Sequence, residues 1–96
     1  VKEMTIKAGQ KCTAIRRAFV PVSMLDAAEA ALKEKLAAVV VGDPTVDGVT
    51  MGALASLSQL EDVRTKARDL AREARLVFGD IDRVDAKGVQ AGTGAF

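Results

Sequence analysis

Apolar residues fall in blocks whose spacing changes along the chain. Val1, Met4 and Ala8 share a helical face from the first residue, so residues 1–8 read as the last turns of a helix, with Gly9 as the left-handed residue that ends it. Thr13 to Val20 carries Ile15, Phe19 and Val20 and reads as a strand, which Pro21 ends by removing a ladder donor. Ser23-Met24-Leu25-Asp26 resembles a capping box, with Asp in place of the usual Glu. Leu25, Ala28, Leu32 and Leu36 then recur at helical spacing, predicting a helix to about Ala37. Val39-Val40-Val41 fits either the continuation of that helix or a short buried strand.

Gly42-Asp43-Pro44 is a turn signal, and the stretch to Ser56, with Asp47-Gly48 and Met51-Gly52, reads as an ordered loop. Ser58-Gln59-Leu60-Glu61 reads as a full capping box. Leu60, Val63, Ala67, Leu70 and Ala74 form the apolar stripe of the helix that follows, with Asp62 and Lys66 spaced to pair on its wet side. Leu76 to Gly79 reads as a short strand, and Asp80 to Gly94 as a Gly-rich loop or mobile tail. Strands separated by helices predict an α/β architecture with a parallel sheet. Two strands do not make a stable sheet, so the remaining strands are expected from elsewhere in a parent protein or from a second copy. The uncapped start at Val1 and the stop at Phe96 fit an excised piece of a longer protein.

Composition narrows the function. Ninety-six residues make one domain at most, and a net charge of +1 with three aromatic residues gives no case for nucleic acid or an anionic membrane. The absence of His excludes a Cys–His or Ser–His dyad within the chain and zinc sites of the usual kind. A lone cysteine fits a reducing compartment, so a cytoplasmic setting is expected.

That cysteine, Cys12, is the candidate for chemistry. It follows a helix end and precedes a strand, among Lys7, Lys11, Arg16 and Arg17, a basic setting of the kind reactive thiols occupy. Its own backbone N–H could help to hold an oxyanion. Strand alternation would send Arg16 and Arg17 to opposite faces, each solvated or ion-paired. Gly92-Thr93-Gly94 lacks the strand and helix that a dinucleotide fingerprint requires. The competing reading is a small non-catalytic α/β interaction module in which Cys12 is merely packed.

Four blocks in register carry a resemblance. Gly9-Gln10-Lys11-Cys12-Thr13-Ala14, followed by Arg17 and the apolar run to Val20, resembles the active-site cysteine signature of the aldehyde dehydrogenase superfamily. Val41-Gly42-Asp43-Pro44, Met51-Gly52-Ala53-Leu54 and Glu73 to Gly79 resemble its later segments, in order and at similar spacing. The match is good over residues 3–79 and loose over 80–96. Ala53 stands where most members have Pro, and Ala74-Arg75 replaces the usual Gly-Ala. With the string from Glu3 to Arg17, these departures resemble one branch, the dehydrogenase half of bifunctional phenylacetic acid degradation proteins.

The resemblance implies that the chain is an incomplete piece of a three-layer α/β/α catalytic domain. It implies that the Cys12 thiolate attacks an aldehyde to form a thiohemiacetal, with the Cys12 N–H and an Asn from elsewhere holding the oxyanion. NAD or NADP in the parent protein takes a hydride, and a Glu-activated water releases the acid; in CoA-acylating relatives, CoA takes the acyl group. None of Glu3, Glu29, Glu34, Glu61 or Glu73 falls in a matching motif, so no base is assigned. No cofactor is expected on this piece, which is expected to be inactive alone. Its implied partners are the aldehyde substrate and the rest of the parent chain. Self-association is expected because an open sheet edge and apolar faces need cover.

Overall fold

The computed structural model describes residues 1–96 and is built from three helices around a short parallel pairing. The first helix, α1, spans Lys2–Thr5 and is shorter than its apolar spacing predicts. A 3-10 turn over Ile6–Gly9 follows, in which Lys7 and Ala8 take left-handed angles (φ 50° and 53°) before Gly9 (φ 74°). Left-handed backbone costs a residue with a Cβ about 1–2 kcal/mol. Gly9 adopts it as expected, but the helix has already ended at Thr5.

The predicted strand over Thr13–Val20 does not form. The segment forms no bridge to another strand, its one backbone link outside the turn being the Ile15 N–H on the Glu3 carbonyl, and Phe19 is 95 % exposed. An isolated strand has no ladder and no apolar face to bury, and this chain supplies neither for it. The next helix, α2, runs Leu25–Ala37, ending where the pattern placed it. Its start is corrected: a 3-10 turn over Val22–Met24 precedes it, Met24 occupies the cap, and the Ser23 side chain caps nothing. Ala28, Leu32 and Leu36 are half-buried, and Glu29 anchors Lys33 at 2.6 Å and Arg75 at 2.7 Å.

Val40 to Asp43 is the central segment of the backbone pairing, carrying both of the chain's bridges. Val41 pairs in parallel with Met51, and Gly42 pairs in parallel with Lys87. The Gly42 N–H donates to the Met51 carbonyl at 2.9 Å, the Asp43 N–H to the Lys87 carbonyl at 3.0 Å, and the Lys87 N–H to the Val41 carbonyl at 2.9 Å. Of the two options the sequence left open for Val39–Val41, the extended one is observed. The tail is a loop, as expected, and is tied to the rest of the chain at Lys87 and by Arg64 donating to the carbonyls of Ile81, Asp82 and Phe96.

The third helix, α3, spans Leu57–Leu70. Its cap is Ser56, whose Oγ accepts from the Gln59 N–H at 3.2 Å, while Ser58 only meets the Ser56 hydroxyl. Two overlapping capping patterns compete here, and the earlier one is used, its hydroxyl satisfying the orphan Gln59 N–H two residues before the expected cap would begin the helix. Asp62 and Lys66 do not pair; Arg68 instead reaches Asp82. The expected strand at Leu76–Gly79 is an exposed bend with no partner.

Only Ala14, Gly42 and Ala95 are buried. The exposed surface is 7490 Å², against about 5300 Å² for a folded monomer of this mass. The radius of gyration is 14.1 Å, against about 12.5 Å for a compact chain of this length. No helix is long and apolar enough to cross a membrane.

Candidate functional site

Cys12 sits on a β-turn. The Ala14 N–H donates to the Lys11 carbonyl at 2.8 Å, so Cys12 and Thr13 are the two central residues. The turn is pinned from below by buried Ala14 and by the Ile15 N–H on the Glu3 carbonyl at 3.3 Å. Cys12 is free and exposed, so its sulfur is presented to solvent rather than packed. Its backbone N–H donates to no acceptor within the chain.

Charge gathers around this turn. From Met4 to Leu25 the chain holds Lys7, Lys11, Arg16 and Arg17 and no acidic residue. Lys11 pairs with Glu3 at 3.1 Å. Arg16 is exposed, as expected of a solvated arginine, and it also wraps onto backbone. Its guanidinium donates to the carbonyls of Ala14 at 3.1 Å, Lys11 at 3.4 Å and Gly9 at 3.5 Å. Arginine's planar fork suits such multiple donation, and it leaves a fixed positive charge beside the turn.

A general base works best with a pKa raised toward neutrality. Three carboxylates are shifted, and all move the other way. The Lys33 ammonium, hydrogen-bonded to Glu29, holds that carboxyl below its ordinary value, with Arg75 adding to the effect. The Thr45 N–H and hydroxyl do the same for Asp43 in the turn after Gly42, at 2.9 and 2.8 Å. The N–H groups of Asp82 and Arg83 do it for Asp80. These groups stay charged and hydrogen-bonded near neutral pH, which suits structural anchors.

Gln10, two residues before Cys12, carries no role legible in the sequence. Its side-chain oxygen accepts from the Ala55 N–H at 2.8 Å, and its amide nitrogen donates to the Lys7 carbonyl at 3.0 Å. No local pattern reveals a bond between residues 45 apart.

The chain's residues do not form a dinucleotide cradle. Gly92 and Gly94 lie in turns with no helix after them, and the close approach at Gly42 is filled by the Lys87 backbone. An apolar groove of 380 Å³ lies between α3 and the tail, lined among others by Leu60, Val63, Phe78, Ile81 and Phe96. It does not include Cys12.

Comparison with known proteins matches residues 1–92 to the aldehyde dehydrogenase family, further into the tail than the four sequence blocks reach. The chain is 43 % identical over 89 residues to a 3,4-dehydroadipyl-CoA semialdehyde dehydrogenase of Aromatoleum evansii, covering 90 % of this chain and 17 % of that protein. It is 37 % identical over 93 residues to a 3-succinoylsemialdehyde-pyridine dehydrogenase of a Pseudomonas species, covering 96 % of this chain and 19 % of that protein. A putative aldehyde dehydrogenase of Staphylococcus aureus (strain MSSA476) is 38 % identical over 72 residues, covering 74 % and 15 %. The chain thus spans less than a fifth of the length of these curated relatives.

Proposed function

The chain belongs to the aldehyde dehydrogenase family, and from that premise we propose that it is the cysteine-bearing part of an NAD(P)-dependent enzyme that oxidises an aldehyde to an acid. The observation that carries this reading is Cys12 itself: an exposed thiol at the head of a hydrogen-bonded turn, within the stretch that matches the family. In the proposed step the Cys12 thiol gives its proton to water, the resulting thiolate adds to the aldehyde carbon, a C–S bond forms, and the C=O π pair moves onto oxygen. The unpartnered Cys12 N–H supplies one donor for that oxygen. The nicotinamide cofactor supplies the oxidation. The family match supports a nicotinamide cofactor in the parent enzyme, and parts outside this chain are proposed to hold it.

A CoA-linked semialdehyde is the proposed substrate. The name of the Aromatoleum relative supports it, as does the acid-free basic stretch around Cys12, which suits an anionic molecule. Phenylacetate breakdown in the cytoplasm is the proposed setting, supported by the string from Glu3 to Arg17 and its likeness to that branch. The fold proposed for the complete catalytic domain remains α/β/α. Support comes from the parallel pairing of Val41 and Gly42 between α2 and α3.

Alkylation tests the assignment. In the complete enzyme, loss of activity with iodoacetamide is expected to track labelling of the Cys12 peptide one to one, and the 96-residue chain alone is expected to show no turnover with NAD(P)⁺ and aldehyde. Full activity with Cys12 fully alkylated would overturn the assignment of the nucleophile. Turnover by the isolated chain would overturn its dependence on the rest of the enzyme.

The isolated chain is also expected to self-associate. Its surface excess over a compact monomer is larger than the roughly 1600 Å² that a standard stable interface buries. Light scattering over a concentration series checks this. A monomer at every concentration would show that the exposed apolar residues tolerate water.

A further inference from the structure

The Gln10–Ala55 hydrogen bond is the single hydrogen bond, and no ion pair joins it, between residues 1–20 and the remainder of the molecule. Every other polar link of the cysteine turn is local. The Glu3 carbonyl, the Lys11–Glu3 pair and the three Arg16 bonds all lie within residues 1–16. Ala55, by contrast, belongs to the central frame. It immediately precedes Ser56, the cap of α3, and follows Leu54, whose N–H donates to the Ala95 carbonyl at 3.0 Å. Four residues before it, Met51 is paired with Val41.

The other end of Gln10 grips the strained turn. The Lys7 carbonyl accepts both the Gln10 backbone N–H and the Gln10 side-chain amide, each at 3.0 Å. Lys7 and Ala8 hold left-handed angles that residues with a Cβ leave readily unless the surroundings fix them. One side chain therefore closes the turn that aims the chain toward Cys12 and ties that turn to the α3 cap.

We infer that Gln10 is a positioning residue: it sets the register of the Cys12 turn against the paired centre of the molecule through Ala55. The inference rests on the reading of Cys12 as nucleophile, but its structural half can be measured separately. An addition to a carbonyl needs the attacking atom placed within a fraction of an ångström, and misplacement by about 1 Å costs up to about a hundredfold in rate. Arg16 holds the turn's internal shape and Gln10 holds its place.

Gln10→Met in the complete enzyme removes both side-chain bonds at nearly constant volume. Hydrogen exchange in the peptide spanning residues 8–16 is expected to rise about five- to tenfold, the scale of losing the one bond that ties the turn to Ala55. The rate constant kcat is expected to fall tenfold or more, with KM for NAD(P)⁺ unchanged within about twofold. Gln10→Glu keeps an acceptor for the Ala55 N–H and is expected to recover most of the lost kcat. Unchanged exchange over residues 8–16 in Gln10→Met, or a Gln10→Glu variant as impaired as Gln10→Met, would overturn the inference. Faster exchange with kcat unchanged would also overturn it, since the link would then be structural alone. If Cys12→Ala were fully active, the assignment of the nucleophile would fail, and the exchange result would still report on the link.

Discussion

Replacing Cys12 by Ala in the complete enzyme is expected to lower kcat/KM for aldehyde oxidation by at least about 10⁴-fold, the scale seen when a covalent nucleophile is removed. Within this chain no other group can take over. The chain has no second thiol and no His, and the shifted carboxylates near neutrality are anchored anions. Folding should be almost untouched. Cys12 is exposed and its side chain makes no hydrogen bond, so removing the sulfur leaves no cavity and strands no partner. Stability should therefore stay within about 0.5 kcal/mol of the parent, as for surface substitutions generally. The two readouts together separate chemistry from structure. An inactive variant with a normal unfolding transition supports the nucleophile, and a variant within tenfold of normal activity removes Cys12 from that role.

Gly42→Ala is expected to be the most damaging single methyl group in the chain. A Cβ at position 42 would lie 2.2 Å from the Lys87 carbonyl oxygen and 2.9 Å from the Lys87 nitrogen. Those are backbone atoms engaged in the pairing, so no side-chain rotation relieves the overlap. Either the tail leaves, losing the Asp43-to-Lys87 and Lys87-to-Val41 hydrogen bonds, or the central segment shifts and strains its pairing with Met51. Loss of two partly shielded hydrogen bonds with added strain corresponds to roughly 2–4 kcal/mol. Urea unfolding of the complete enzyme checks this, and a change below about 0.5 kcal/mol would mean the close approach is not held in solution. Conformational freedom is not the reason for this glycine, since its φ is not positive; proximity is.

The contrast between these residues shows what the sequence could carry. Cys12 stood out as a candidate because the signals for it are local: one thiol, a basic neighbourhood and a recognisable string, to which the structure adds its exposure. The end of α2 at Ala37 and the freedom required at Gly9 were legible for the same reason. The predicted strands at Thr13–Val20 and Leu76–Gly79 were not realised, because a strand is a property of two segments and neither finds a partner here. The cap of α3 was misplaced by two residues because Ser56 and Ser58 offer nearly equal patterns, and only the geometry at Gln59 separates them. Arg16 and Gln10 act on backbone carbonyls and a distant N–H, which no side-chain pattern encodes. The tail's anchorage at Lys87 is hidden likewise, since its partner is a glycine with no side chain to advertise the contact.

The two pairings of the central segment also set an order of assembly. Val41 and Met51 are ten positions apart, whereas Gly42 and Lys87 are separated by 45. Closing the longer loop costs about 1.3 kcal/mol more chain entropy than closing the shorter one. On a growing polypeptide the Met51 side can zip as soon as it emerges, while the Lys87 side must wait until all of α3 has been made. During that interval the open edge beside Gly42 is a place where a foreign strand could enter, and the arrival of Lys87 is the step that closes it.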